Sequence, residues 1–143
     1  MKTILFSLAC LLAIGTMAQS DSKPVGGTGP LISVDKDLVD YGTIKKSADG
    51  NRTFVVTNTG DKPLIISNCQ GSCGCTVPKC DTAPILPGQT SVVNVHYDTE
   101  RVGPFTKTVT VTSNATNTPS LTVNIKGVVE DATPAAAEPV KAK

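Results

Sequence analysis

A chain of 143 residues with 13 basic and 12 acidic side chains carries a formal charge of only +1, and aromatic residues make up 3% of it, with no tryptophan. That balance gives no electrostatic case for nucleic acid or an anionic membrane surface, and so few rings argue against a sugar-stacking or single-strand-binding platform. A single histidine and the absence of a Ser-His-Asp or metal-hydrolase signature exclude the commonest hydrolytic machinery.

Met1-Lys2-Thr3 is a short cationic start, and Ile4 to Ile14 is an apolar run broken only by Ser7. Small residues at Thr16 and Ala18 then predict signal-peptidase cleavage before Gln19, with residues 1–18 removed. The run is shorter than the about 20 residues a bilayer span needs. No later segment could span either, so a soluble exported chain is expected. Lipidation at Cys10 is the competing reading, but Ser7 stands where a leucine is usual. Loss of Lys2 leaves 12 basic and 12 acidic residues.

Residues 19–30 are polar and rich in Gly and Pro and read as a flexible linker. From residue 31 to 129 the pattern is β throughout. Leu31–Asp35 and Leu38–Gly42 come first, with Tyr41 as a core aromatic and Gly42 as a bend. Thr53–Thr57 is β-branched and ends at the turn cluster Asn58-Thr59-Gly60-Asp61, after which Pro63–Ser67 resumes. Ser91–Tyr97 places Val93, Val95 and Tyr97 on one face. Phe105–Ser113 sets Phe105, Val109 and Val111 against four threonines, and Leu121–Gly127 repeats the alternation. Residues 130–143 have little to bury and read as a disordered tail. About seven short strands with turns between them, and no helical period, predict an all-β, immunoglobulin-like antiparallel sandwich. Its aromatic core would be Tyr41, Phe54, Tyr97 and Phe105.

The chemistry concentrates in Cys69, Cys73, Cys75 and Cys80, spaced C-x3-C-x-C-x4-C. In an exported chain, cysteines this close usually form disulfides, and four permit three pairings. Cys69–Cys80 would close the loop at its base and leave Cys73 with Cys75 in a very small ring, strained and easily reduced. Cys69–Cys73 with Cys75–Cys80, or Cys69–Cys75 with Cys73–Cys80, would be ordinary staples. A structural loop is the leading reading. One alternative is a thiolate site for Zn²⁺ or Cu⁺, with His96 as a further ligand if its strand runs beside the loop, although no pair of C-x-x-C elements is present. Another is thiol–disulfide cycling at Cys73 and Cys75, for which Lys79 is the only cation inside the loop. No cofactor is expected. Asp98 and Glu100 read as turn-shaping residues at a strand end.

Several ordered motifs carry a resemblance: Ser72-Cys73-Gly74-Cys75-Thr76, Pro84-Ile85-Leu86-Pro87-Gly88, Tyr97-Asp98-Thr99, and Gly103 to Val109 followed by Val111-Thr112-Ser113-Asn114. With Phe54 to Gly60 and Pro63 to Ile66, they resemble the secreted bacterial family DUF1573, a domain of unknown function, from about Leu38 to Val129. That family is similar to the immunoglobulin-like modules of the ASH and HYDIN group. The resemblance implies a Gram-negative envelope location without an established activity, and it places any shared role on Cys73 and Cys75. An envelope protein of unspecified identity would be the partner. Asp81-Thr82-Ala83 fits a short bacterial O-glycosylation sequence, making Thr82 a candidate acceptor. Asn51-Arg52-Thr53 and Asn114-Ala115-Thr116 match the N-glycan acceptor, which a bacterial host makes largely irrelevant.

Overall fold

Alternating burial is the organising signal along the chain. In the computed structural model, which describes residues 28–131, eight strands form. They are β1 (Ile32–Val34), β2 (Leu38–Lys45), β3 (Asn51–Asn58), β4 (Ile66–Gly71), β5 (Thr76–Lys79), β6 (Thr90–Tyr97), β7 (Gly103–Ser113) and β8 (Ser120–Glu130). The expected signal peptide with Cys10, the linker up to residue 27 and the tail from residue 132 lie outside the described residues. Two four-stranded sheets face each other, in the orders β1-β3-β6-β5 and β2-β8-β7-β4. The immunoglobulin-like sandwich is therefore present, and its strand count exceeds the expected seven by the short β5.

Inward residues of seven strands make one core, among them Val39 and Tyr41 from β2, Phe54 and Val56 from β3, Val93, Val95 and Tyr97 from β6, Phe105, Val109 and Val111 from β7, and Val123 and Ile125 from β8. Burying such side chains is worth roughly 1.5–3 kcal/mol each relative to exposure, so period-two patterning specifies which face turns inward. All four expected core aromatics are buried. Tyr97 stacks on Phe105 with centroids 3.7 Å apart, and Tyr41 meets Phe105 edge-on at 5.4 Å. Gly127 on β8 lets the cluster close, because a Cβ there would lie 2.7 Å from the Tyr41 Cβ and 2.8 Å from the Phe105 ring.

Pairing and strand limits depart from the sequence pattern in two places. β2 pairs with β8 in parallel, a partnership open to strands far apart in the chain and not joined by a hairpin. Gly42, at a φ of +63°, sits where that register shifts between Asp40 and Thr43, as the expected bend. The strand expected over Pro63–Ser67 is split: Leu64 makes a single bridge to Ile85, and β4 begins at Ile66 with its own register shift before Asn68. Cys69 consequently lies on a strand rather than in a loop.

The described chain enters the sandwich at one end and leaves from the other. Gly29 and Pro30 accept hydrogen bonds from the backbone N–H groups of Asp61 and Thr116. Glu130 finishes β8 beside Lys45, with a 2.7 Å ion pair, close to where β7 starts at Gly103.

Candidate functional site

β4 is an edge strand of one sheet and β5 an edge strand of the other, so the chain crosses between sheets at the turn joining them. The crossing is tight. A Cβ on Gly71 would collide with the Thr76 carbonyl, so only glycine allows β4 and β5 to approach this closely. β5 then pairs with β6 from Thr76↔Tyr97 to Lys79↔Asn94. Pro78 is tolerated because β5 is an edge, where a missing N–H need not break the ladder.

The four cysteines all lie at this corner. Cys69 on β4 is joined to Cys80, just past β5, with Cα atoms 6.2 Å apart. Cys73 is joined to Cys75 across Gly74, with Cα atoms 5.2 Å apart. Of the three possible pairings, the fold adopts the one that closes the loop at its base and leaves a second bond at its tip. Cys69–Cys80 is therefore an inter-sheet staple. Chain-entropy reasoning gives a bond closing a loop of this size about 3 kcal/mol of stabilisation.

The tip is held by backbone bonds as well as sulfur. The Ser72 N–H donates to the Thr108 carbonyl at 2.9 Å and the Ser72 hydroxyl accepts from the Thr108 N–H at 3.1 Å. Thr76 N–H donates to Cys73 O at 3.2 Å, and Asp98 N–H to Cys75 O at 2.9 Å. Cys75 is 4% exposed, Cys73 is half-buried, and a Cβ on Gly74 would meet nothing within 4 Å. Thr76, which the sequence marks only as the last residue of the Ser72-Cys73-Gly74-Cys75-Thr76 motif, joins the site through its side chain. It is 2% exposed, and its hydroxyl lies 3.7 Å from the Cys73 sulfur and 3.8 Å from that of Cys75. A threonine following directly on Cys-Gly-Cys was the available signal.

Between the two sheets, the Tyr41 hydroxyl donates to the Val95 carbonyl at 3.0 Å, joining β2 to β6. Burial pushes the Tyr41 phenol up to about 12, with the Arg52 guanidinium, 4.9 Å from the ring centroid, pulling the other way. His96 is exposed on the outer face, opposite Val77 and Asn51, with Nδ1 3.2 Å from the Asn51 side-chain oxygen. It thus stands beside the loop's strand, while all four cysteine sulfurs are engaged with one another. Among the described residues no group of three or more His, Cys, Asp or Glu side chains is arranged to hold a metal ion. The neighbouring Asp49 carboxyl is held below the usual range by the Asn51 backbone and side-chain amides.

Other singled-out residues have local tasks. Asp98 accepts from the Glu100 N–H at 3.1 Å and pairs with Arg101 at 3.6 Å, which shapes the turn after β6. Thr82 is exposed after β5, next to Asp81, which accepts from the Ala83 N–H. A cleft of about 400 Å³ between the diverging edges is lined in part by Cys69, Cys80, Lys79 and Thr82. At the far end, the Asn114 amide is occupied by Ile65 N–H and Pro63 O.

Comparison with known proteins agrees with this architecture. The family model described as "Protein of unknown function (DUF1573)" matches residues 32–129. A protein of unknown function from Porphyromonas gingivalis W83 is similar with a TM-score of 0.63 at 14% identity, over 71% of this chain and 47% of that one. The ASH/PapD-like domain 7 of human CEP192 gives 0.58 at 9% identity, over 86% of this chain and 99% of the domain. The secreted serine protease VesC from Vibrio cholerae gives 0.54 at 12% identity, with only 24% of its length covered. At such identities the likeness shows the fold alone, and this chain spans about half the length of the Porphyromonas protein. No curated protein matches the chain. A match across nearly the whole of the sandwich, with the Cys-Gly-Cys tip inside it, means that the chain belongs to the DUF1573 family.

Proposed function

We propose that this protein is an exported, non-enzymatic binding or structural module of the bacterial envelope, and that it contacts an envelope protein through the β4–β5 tip. The observation that carries the reading is the corner itself. Two edge strands from different sheets are bound together by Cys69–Cys80, and the short turn Ser72–Cys75 is thereby held out from a rigid scaffold. Loops positioned in this way are where sandwich domains commonly bind. Export accords with the predicted cleavage before Gln19 and with disulfides as structural elements. Among the described residues no helix is long and apolar enough to cross a membrane.

The test places a photoreactive side chain at Ser72 and, in a second variant, at exposed Thr116, beside Pro30 where the described chain enters the sandwich. Both are irradiated in intact envelopes. A saturable adduct of one defined mass from Ser72 and none from Thr116 is the expected result. Equal or absent adducts from both positions would overturn the tip as a contact surface. Intact mass of the periplasmic protein, expected to begin at Gln19 and to lack four cysteine hydrogens, checks export and pairing together.

A further inference from the structure

We propose that the Cys73–Cys75 disulfide is a thiol–disulfide exchange site that accepts electrons from thiols, with Cys73 as the attacked sulfur, Cys75 as the leaving sulfur and the Thr76 hydroxyl as the hydrogen-bond donor to the leaving thiolate. This goes beyond the binding reading and stands independently of it.

Three observations support the site. First, the fold does not depend on the tip bond to hold its shape. Cys69–Cys80 staples the sheets separately, and the tip is anchored by the Ser72–Thr108 pair of bonds and the Asp98–Cys75 bond, none of which uses sulfur. Second, the two sulfurs differ in access: Cys73 is half-buried under an open Gly74, whereas Cys75 is 4% exposed. An incoming thiolate therefore reaches Cys73. Third, the Thr76 hydroxyl is almost wholly buried, and its hydrogen-bond partners among the described residues are these two sulfurs, at 3.7 and 3.8 Å. Disulfide sulfurs carry no hydrogen, so the hydroxyl is the donor. A disulfide sulfur is a weak acceptor and a thiolate a strong one, so this bond strengthens when the disulfide opens. A buried donor placed ahead of the charge it will meet is the arrangement that favours such a step.

The reaction balances without a further oxidant. A substrate thiolate bonds to the Cys73 sulfur as the Cys73–Cys75 bond breaks, and Cys75 leaves with the electron pair as a thiolate. A second substrate thiolate attacks the substrate sulfur of that mixed disulfide and releases Cys73. Two protons pass through water from the substrate thiols to Cys73 and Cys75. The substrate dithiol becomes a disulfide and the protein disulfide a dithiol. The ring closed by residues only two apart in sequence makes the protein an oxidant here, because closing it is unfavourable.

The test equilibrates the folded protein with reduced and oxidised glutathione in graded ratios at neutral pH, quenches with an alkylating agent, and maps each cysteine by peptide mass. Cys73 and Cys75 should become reduced at a glutathione ratio about 100-fold less reducing than Cys69 and Cys80 require. Thermal unfolding of the half-reduced protein should still be cooperative. The Cys75→Ser variant should take glutathione on Cys73, and Cys73→Ser should label Cys75 about 10-fold more slowly, following its burial. Thr76→Val should slow opening about 10-fold, and Thr76→Ser should restore it. Joint reduction of both disulfides, or reduction of Cys69–Cys80 first, would overturn the proposal, as would unchanged kinetics in Thr76→Val. The wild-type equilibrium alone decides the first point even if a variant folds poorly.

Discussion

Asn58, Asn114 and Asn117 close one end of the sandwich with amide side chains that stand in for strand backbone. Asn58 donates to the carbonyls of Lys62 and Ile85 and accepts from the Gly60 N–H. Asn117 takes the Ile32 N–H at 3.0 Å and donates to the Ile32 carbonyl at 2.9 Å. The β4–β5 corner is closed with sulfur instead. An amide latch holds under any redox condition and yields only when the fold yields. A disulfide can be released by chemistry while the sheets stay packed. The same fold thus has one end whose integrity is thermodynamic and a corner whose integrity also depends on the compartment.

The comparison breaks most visibly at Asn58. Asn58→Ala leaves the Lys62 carbonyl and the buried Gly60 N–H without their partner and strips the Ile85 carbonyl of one of its two bonds, and should cost roughly 3–4 kcal/mol, equally in oxidising and reducing buffer, as read by urea unfolding. Cys69→Ala with Cys80→Ala should cost about 3 kcal/mol against the oxidised protein. In dithiothreitol the difference from wild type should fall to the small packing loss. A cost that survives reduction would mean the sulfurs act through packing and not as a staple.

Tyr41 tests a non-covalent latch between the sheets, from β2 to β6, away from the β4 edge. Tyr41→Phe removes the bond to Val95 O and should cost about 1 kcal/mol at neutral pH. The pH dependence has a definite sign. The folded phenol is raised to about 12 from a reference of 10.0, so the folded state binds the proton more tightly. Its contribution is complete below pH 10 and is lost as pH rises from there towards 12. Melting curves between those values should fall more steeply for wild type than for Tyr41→Phe. The smallest effect is expected from Cys73→Ser with Cys75→Ser, about 1 kcal/mol or less, since so short a loop loses little entropy on closure.

The core was legible because period-two alternation in Ser91–Tyr97, Phe105–Ser113 and Leu121–Gly127 leaves one choice of inward face. β5 was not, since Thr76-Val77-Pro78-Lys79 is four residues long and contains a proline, which reads as a break. β4 past Ile66 was hidden too: Ser67-Asn68-Cys69-Gln70-Gly71 has no β-branched residue, and a register shift disrupts its alternation. Nor does local pattern encode the parallel pairing of β2 with β8, which depends on how distant strands stack. At the site, spacing identified the cysteines but not their partners, because pairing depends on two edges meeting across sheets. The role of Thr76 is hidden for a related reason: only the fold turns its hydroxyl onto the two sulfurs.

The strand β8 runs the whole length of the sandwich, eleven residues or about 35 Å, and the described chain starts at one of its ends and stops at the other. Thr28 and Asp131 therefore stand apart by about the full height of the domain. The cysteine corner faces sideways from that axis, since its Ser72 is tied to Thr108, midway along β7, and so it lies away from both places where the described chain begins and ends.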